Sequence, residues 1–202
     1  MTTYKGIKGL TVRKVAGDPS PLAAGDIWYS STTKKIRGAK LVSAWASAPD
    51  QSNPTYQGSG AGTATAALST GGKASPTSYN ANTEEYNGSA WSEGGDQPVA
   101  ISYFTGAGTQ TAALIAGGAP TVRDETYEYD GSSWTAGGAL NQQRKQGGGW
   151  GTQTAALVSG GETPPITNLT EIYDGSSWTE VGDMNQPRNN CIGFGTSTDG
   201  AM

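Results

Sequence analysis

Few side chains in this chain of 202 residues are suited to catalysis. It contains no histidine, so nucleophiles activated by an imidazole are excluded, and the usual transition-metal sites lose their commonest ligand. The one cysteine, Cys191, has no disulfide partner within the chain, and its sequence context predicts a small buried residue in a strand. These observations predict a non-enzymatic protein with no catalytic residue, no metal and no cofactor.

Carboxylate pairs remain the alternative chemistry, because glycoside hydrolases work with two Asp or Glu side chains. Residues 41–202 contain fifteen such acids. Asp130 and Asp174 occupy the same turn position, where Asx side chains bond their own backbone, and Glu85, Glu128 and Glu171 fall near a repeated tyrosine. Because these acids recur, they are interpreted as structural, and a glycosidase or depolymerase stays the alternative hypothesis.

An internal repeat organises the chain from about residue 51 onward. The run Gly-Thr-x-Thr-Ala-Ala-Leu begins at Gly62, Gly108 and Gly151 and ends each time in a Gly-Gly pair, and a truncated copy begins at Gly195. The copies are offset by 46, 43 and 44 residues. The Thr-Ala-Ala-Leu run predicts a strand of small residues near the crowded centre of the array.

A second motif keeps the same phase and predicts a hairpin in each repeat. Tyrosine is followed by Asx-Gly and then by tryptophan five residues after the tyrosine, and Asx-Gly favours a type I′ turn. Trp45 already lies in this phase, 17 residues before Gly62. The predicted structural positions of the repeat are Trp45, Trp91, Trp134, Trp178, Tyr86, Tyr129, Tyr173, Arg144 and Arg188.

The order of Gly-Gly, Tyr-Asp, Trp and Arg resembles the kelch repeat, whose blades are four-stranded sheets arranged radially. The resemblance covers about residues 45 to 202, with Ile101 in place of arginine in the first full repeat. It implies an all-β fold of kelch-like β-propeller blades, incomplete in this chain and preceded by a small β-hairpin anchor segment. The domains expected are residues 1–50 and the array 51–202. We expect the natural chain to continue past Met202, or neighbouring subunits or the hairpin to complete the array, because open sheet edges invite aggregation.

The motifs Gly-Thr-Gln-Thr-Ala-Ala-Leu and Asp-Gly-Ser-Ser-Trp-Thr also resemble repeats in virion proteins of marine tailed phages, including cyanophages. The run from Gly25 to Lys35 is similar to an N-terminal hairpin of phage tail proteins. Residues 1–40 carry eight Lys and Arg and two Asp and Glu, whereas residues 41–202 carry five and fifteen. A basic segment beside an acidic array favours docking of the former on an acidic partner and disfavours nucleic acid as a partner.

The resemblance implies a virion protein, most simply a tail or tail-fibre component. Residues 1–50 would contact other virion proteins, and the array, as a homo-oligomer in the particle, would bind a host-surface glycan or protein. A capsid decoration or tail-wall protein without receptor role is the alternative. No segment approaches the ~18 apolar residues that span a bilayer, so membrane insertion is not expected.

Variable loops mark the expected binding surface. The segments after each Gly-Gly pair, 73–82, 119–125 and 162–169, differ in length and sequence, and in repeat folds such insertions collect on the binding face. The candidate binding residues are Tyr79, Asn80, Arg123, Asp124, Thr163 and Asn168.

Overall fold

The computed structural model describes residues 13–16, 27–38 and 48–196, and these residues form strands, turns and loops without a helix. The chain divides into two compact units between Ser47 and Ala48. Trp45 lies outside the described residues. Among the described residues, no helix is long and apolar enough to cross a membrane.

The described part of the first unit is a three-stranded sheet. Its strands are β1 (Arg13–Val15), β2 (Ile27–Ser30) and β3 (Lys35–Gly38). Strands β2 and β3 form the expected antiparallel hairpin, and β1 pairs with β2 in parallel. Trp28 on β2 is buried, whereas Ile27 and Ile36 are exposed.

The described part of the second unit, residues 48–196, contains three four-stranded antiparallel sheets whose strands follow chain order. Sheet A consists of β4 (Ser59–Thr63), β5 (Ala66–Thr70), β8 (Thr83–Tyr86) and β9 (Trp91–Glu93), and between β5 and β8 lies a small ribbon of β6 (Lys73–Ser75) and β7 (Ser78–Tyr79). Sheet B consists of β10 (Thr105–Thr109), β11 (Ala112–Ala116), β12 (Thr126–Tyr129) and β13 (Trp134–Ala136). Sheet C consists of β14 (Gly148–Thr152), β15 (Ala155–Ser159), β16 (Thr170–Tyr173) and β17 (Trp178–Val181). The protein is therefore all-β, with one four-stranded sheet per repeat.

The first strands of the sheets lie against one another, with β10 between β4 and β14. Glycine makes this approach possible, because a Cβ at Gly106 would overlap Ser59 Oγ and one at Gly149 would overlap Thr105 Cγ2. The prediction that the Ala-Ala-Leu strand is the crowded one was wrong. That run forms the second strand, and the glycine-rich segment before it makes the close contact.

The Tyr-to-Trp hairpins differ from the predicted type I′ turn. Tyr129 pairs directly with Trp134, which leaves a four-residue loop in which glycine alone, Gly131, has a positive φ. The Asp130 carboxylate accepts the backbone N–H groups of Ser132 and Ser133 and thereby stabilises a longer loop. These bonds lower the pKa of Asp130 to about 2 and confirm the turn-capping role of the repeated Asx residue. The two-residue loops instead join the first and second strands, as at Gln110 and Thr111.

Sheets B and C are each hydrogen-bonded to the preceding sheet through the same types of side chain. The Trp134 indole N–H donates to Thr83 Oγ1 over 3.0 Å and the Tyr129 hydroxyl to Glu85 over 2.6 Å. In the next pair of sheets Trp178 bonds Thr126 and Tyr173 bonds Glu128. Gln110 and Gln153 also donate to backbone carbonyls of the preceding sheet.

Two apolar clusters fill the spaces between neighbouring sheets. The cluster between sheets A and B contains Leu68, Phe104, Ile115 and Trp134, and the one between B and C contains Leu114, Leu140, Val158 and Trp178. The core thus lies between sheets, and a single sheet has no core of its own.

Alkaline pH is expected to destabilise the array. Burial, together with the hydrogen bond to Glu85, raises the pKa of Tyr129 to about 12, and burial with the bond to Glu128 does the same for Tyr173. An unfolded tyrosine loses its proton near pH ~10. Between pH ~10 and ~12 the unfolded state therefore binds fewer protons, and the free energy of unfolding falls as the pH rises. Urea unfolding between pH ~10 and ~12 measures how steeply the free energy of unfolding falls with pH. The double variant Tyr129→Phe/Tyr173→Phe should show a shallower fall. An equal slope in both proteins would contradict the attribution of the effect to these two tyrosines.

Candidate functional site

In all three sheets the long connections lie at the same end of the strands. We call this end of the sheets the loop edge; it comprises the connections from second to third strands, 71–82, 117–125 and 160–169, the connections between sheets, 94–104 and 137–147, and the segment 182–191 that follows sheet C. All six candidate residues chosen from the sequence lie in these segments. The opposite edge carries only short turns.

A chain of backbone hydrogen bonds joins the sheets along the loop edge. Tyr103 N–H donates to the Gln57 carbonyl, Gln146 to Tyr103 and Asn190 to Gln146, over 2.9, 2.7 and 2.9 Å. All four residues have φ between 53° and 62° although none is glycine. A left-handed residue therefore recurs at the same place in every repeat, and at Gln57, Tyr103 and Gln146 it lies just before the first strand of a sheet.

A cation enclosed by tyrosines stands out on this edge beside sheet A. Lys73 Nζ lies 4.8 Å from the ring centroid of Tyr79 and 5.2 Å from that of Tyr103. Both rings are half-buried, and neighbouring Tyr56, the bridge partner of Lys73, is 43% exposed. Lys73 forms no ion pair with any described residue. The Lys73 cluster, defined as Lys73, Tyr79, Tyr103 and Tyr56, combines aromatic rings with one positive charge that has no ion-pair partner among the described residues.

The other candidates from the sequence do not join this cluster. Asn80 Oδ1 accepts the backbone N–H of Asn82, and Asn168 donates to the Met184 carbonyl, so both amides support local backbone. Arg123 forms an ion pair with Glu125 over 2.9 Å. Asp124 is exposed and Thr163 half-buried. Of the six, Tyr79 alone lies in the Lys73 cluster.

Arg144 has the most contacts of any cation in the array. Its side chain is 1% exposed and donates to the carbonyls of Gly160 and Leu169 and to the Glu171 carboxylate, all in or beside sheet C. Its own carbonyl accepts the N–H of Gly118, beside sheet B. Burial lowers the pKa of the guanidinium, which the Glu171 carboxylate opposes. Arg144 therefore joins two neighbouring sheets.

The equivalent positions of Arg144 show how the repeats differ. The carbonyls of Ile101 and Arg188 accept the N–H groups of Gly72 and Gly161, so both residues have the backbone placement of Arg144. Arg188 has an exposed side chain and forms no ion pair within the described part of the chain. Ile101 is buried beside sheet B, and in that sheet Tyr127 takes the position of Glu171.

The repeated glutamates have hydrogen-bond partners in or beside the sheets, but Glu171 occupies a different position in its sheet from the one that the sequence predicted. Glu85 and Glu128 accept tyrosine hydroxyls, but Glu171 is equivalent to Glu84, since each stands opposite the fourth residue of its second strand, Ser69 or Val158. Ile172 takes the Glu85 position in sheet C. Within the described ranges no three acids or cysteines are grouped as a metal site requires.

Cys191 lies outside any strand, contrary to the sequence prediction. It is half-buried, and burial raises the pKa of its thiol, an effect that Arg188 opposes. A thiol with a raised pKa stays protonated at neutral pH and is a poor nucleophile.

Comparison with known proteins gives information on the fold alone. No family model matches the chain, and no curated protein matches it. Among solved structures, the structure of YjhT is similar, with a TM-score of 0.55 and 14% sequence identity. The fold is shared over 77% of this chain. The match covers 51% of the YjhT chain, so this chain spans about half the length of that structure.

Sequence reasoning missed Lys73, Tyr103 and Glu84. Lys73 is one of only five Lys and Arg residues after residue 40, so its rarity was a usable signal. Tyr103 belongs to a connection that follows the fourth strand, outside the variable segments that the sequence highlighted. Its approach to Lys73 depends on the contact between sheets A and B.

Proposed function

We propose that this protein is a phage virion component, of the tail or tail fibre, that presents kelch-like β-propeller blades for binding to the host surface. Residues 1–50 are its anchor in the particle. The blades form a rigid support, and the loop edge carries the ligand site.

The propeller arrangement is supported by the equivalent contacts between sheets. Tryptophan, tyrosine and glutamine make the same backward hydrogen bonds from sheet B to A and from C to B. First strands lie side by side, whereas no extensive contact joins the fourth strands to each other within the described array. A radial arrangement requires the same contacts between each pair of successive sheets and the first strand of every sheet at the centre.

The binding role rests on one observation, the Lys73 cluster. Tyrosine rings stack on the apolar faces of sugars, and an ammonium group bonds hydroxyls or a carboxylate. The cluster lies on the edge with the variable loops, and Lys73 has no ion-pair partner in the part of the chain that the structure describes. We therefore propose a host-surface glycan as the ligand of this cluster.

The anchor role of residues 1–50 is supported by charge. The first 40 residues carry a net charge of +6 and the remainder −10, on the counts given above. A basic segment suits an acidic surface of another virion protein. Immuno-electron microscopy with an antibody against the array would locate the protein; label on the capsid alone would favour a decoration protein and contradict the tail assignment.

Substitutions in the Lys73 cluster are expected to weaken glycan binding. Lys73→Ala and Tyr79→Ala should each lower the affinity for host-surface polysaccharide by about tenfold, because each removes a face of the site. Biolayer interferometry on the full chain measures the effect. Arg188→Ala is the charge-matched control, since it removes an exposed cation outside the cluster, and it should bind like the unaltered protein.

The same assay separates the alternatives. Equal binding by all variants would contradict the proposed site. Binding with release of reducing sugar would indicate a depolymerase, and no binding by the unaltered protein would contradict the receptor role.

A further inference from the structure

Sheet A contains a pocket at the place that Arg144 fills in sheet C. Thr55 stands two residues before the left-handed Gln57, as Arg144 stands two before Gln146. The guanidinium of Arg144 bonds Gly160, Leu169 and Glu171, and the equivalent residues of sheet A are Gly71, Asn82 and Glu84. A small pocket is lined by these three residues together with Thr55, Thr70 and Asn53. The short threonine leaves the arginine position empty.

Glu84 is a buried carboxylate without a counter-ion among the described residues. It is 3% exposed and accepts only uncharged donors, the backbone N–H groups of Ser52 and Asn53 and the Asn53 amide. Glu171 accepts the corresponding donors of Asn141 and Gln142 and, in addition, the Arg144 guanidinium. A buried charge gains most from a hydrogen-bonded partner of opposite sign.

Sheet B shows that the vacancy is specific to sheet A. There, Ile101 and Tyr127 occupy the arginine and glutamate positions and both belong to the apolar cluster between sheets A and B. Sheet C has cation and carboxylate, sheet B has neither, and sheet A has the carboxylate alone. The carboxylate is therefore not an obligatory part of the repeat, and its presence in sheet A without a cation from the described residues needs another explanation.

We propose that the Glu84 pocket binds the guanidinium of an arginine side chain presented by a partner protein. The Glu171 site lies on the side of sheet C that faces the preceding sheet, sheet B. The equivalent Glu84 pocket therefore lies on the side of sheet A that faces away from sheet B. Its enclosed part has room for about one water molecule, so the guanidinium inserts one edge and its stem remains outside. The planar fork satisfies a carboxylate and two carbonyls together, which a lysine ammonium does not match.

This site is separate from the glycan site. The proposal does not rest on glycan binding, since Glu84 and Lys73 lie in different clusters and have opposite charges. A loss of one interaction leaves the other measurable.

The test uses Nα-acetylarginine methylamide as the probe, with the lysine derivative as its matched control. Isothermal titration calorimetry on the full chain should show saturable, weak binding of the arginine derivative and at least tenfold weaker binding of the lysine derivative. Glu84→Gln should lower the affinity for the arginine derivative by about tenfold. Glu93→Gln is the control variant, because Glu93 stands opposite Glu84 in the sheet but is exposed.

A second variant guards against loss of folding in Glu84→Gln. Thr55→Arg supplies the missing side chain from within the chain, so it should raise the melting temperature and abolish binding of the probe. No saturable binding by the unaltered protein, or equal binding in Thr55→Arg, would overturn the proposal. Sedimentation velocity identifies the source of the arginine: self-association that Arg188→Ala removes would overturn a separate partner and assign the site to a second copy.

Discussion

Replacing Arg144 by alanine is expected to lower the free energy of unfolding by about 3–5 kcal/mol, because the change leaves Glu171 as a buried, uncompensated carboxylate. The side chain is 1% exposed, and its four hydrogen-bond acceptors include two carbonyls beside sheet C, those of Gly160 and Leu169. For an array of this size the loss corresponds to roughly 10 °C in melting temperature. Urea unfolding followed by tryptophan fluorescence and by circular dichroism measures it, with agreement of the two probes as the check for two-state behaviour.

The repeat supplies a matched control for this change. Arg188 has the same backbone placement but an exposed side chain, so Arg188→Ala should alter stability by less than about 0.5 kcal/mol. The double variant Arg144→Ile/Glu171→Tyr places the residue pair of sheet B in sheet C and should recover a large part of the loss. Equal destabilisation by Arg144→Ala and Arg188→Ala would show that burial of the ion pair is not the cause.

Truncating Trp134 is expected to have a comparably large effect. Trp134 is 7% exposed, lies between sheets A and B, and packs against Tyr129 with ring centroids 5.0 Å apart. Trp134→Ala removes a buried aromatic group and leaves Thr83 Oγ1 without its indole donor, so it should cost about 3–5 kcal/mol. Urea unfolding with an unchanged m-value would identify a loss of packing without a change in the extent of unfolding.

Trp91 is the internal control for Trp134. It makes the equivalent contact with its tyrosine, Tyr86, at 5.1 Å, but its indole N–H donates to the Pro49 carbonyl and it is only half-buried. Trp91→Ala should therefore cost about 1 kcal/mol or less. A cost equal to that of Trp134→Ala would mean that the tryptophan stabilises its own hairpin and not the contact between sheets.

The prediction of the turns shows where local sequence reasoning succeeds and where it fails. The positions of the hairpins followed from Asx-Gly between Tyr and Trp, because glycine at that place has a positive φ of 92° to 93° in every repeat. The turn type was wrong, since the side-chain bonds of Asp130 to Ser132 and Ser133 stabilise a four-residue loop. Residue propensities alone do not report such side-chain bonds.

The candidate site was harder to predict than the fold. Tyr79 was found because its segment varies between repeats, but Lys73 and Tyr103 come from different connections, 30 residues apart in sequence. Asn80 and Asn168 were chosen by the same criterion and support backbone instead. Sequence variation marks a loop as tolerant of change, but it does not say which side chains point outward.

By itself, the sequence determined that this protein is all-β, that its repeat of 43 to 46 residues forms one sheet, and that imidazole chemistry is excluded. These properties are local, because turns, strands and composition depend on residues close in the chain. Only the tertiary structure decided which sheets exchange hydrogen bonds and that Glu171 is equivalent to Glu84 and not to Glu85. It also decided that Glu171 has a guanidinium partner, whereas Glu84 has none among the described residues. Those contacts join residues some 30 to 50 positions apart, where spacing along the chain does not specify distance in space.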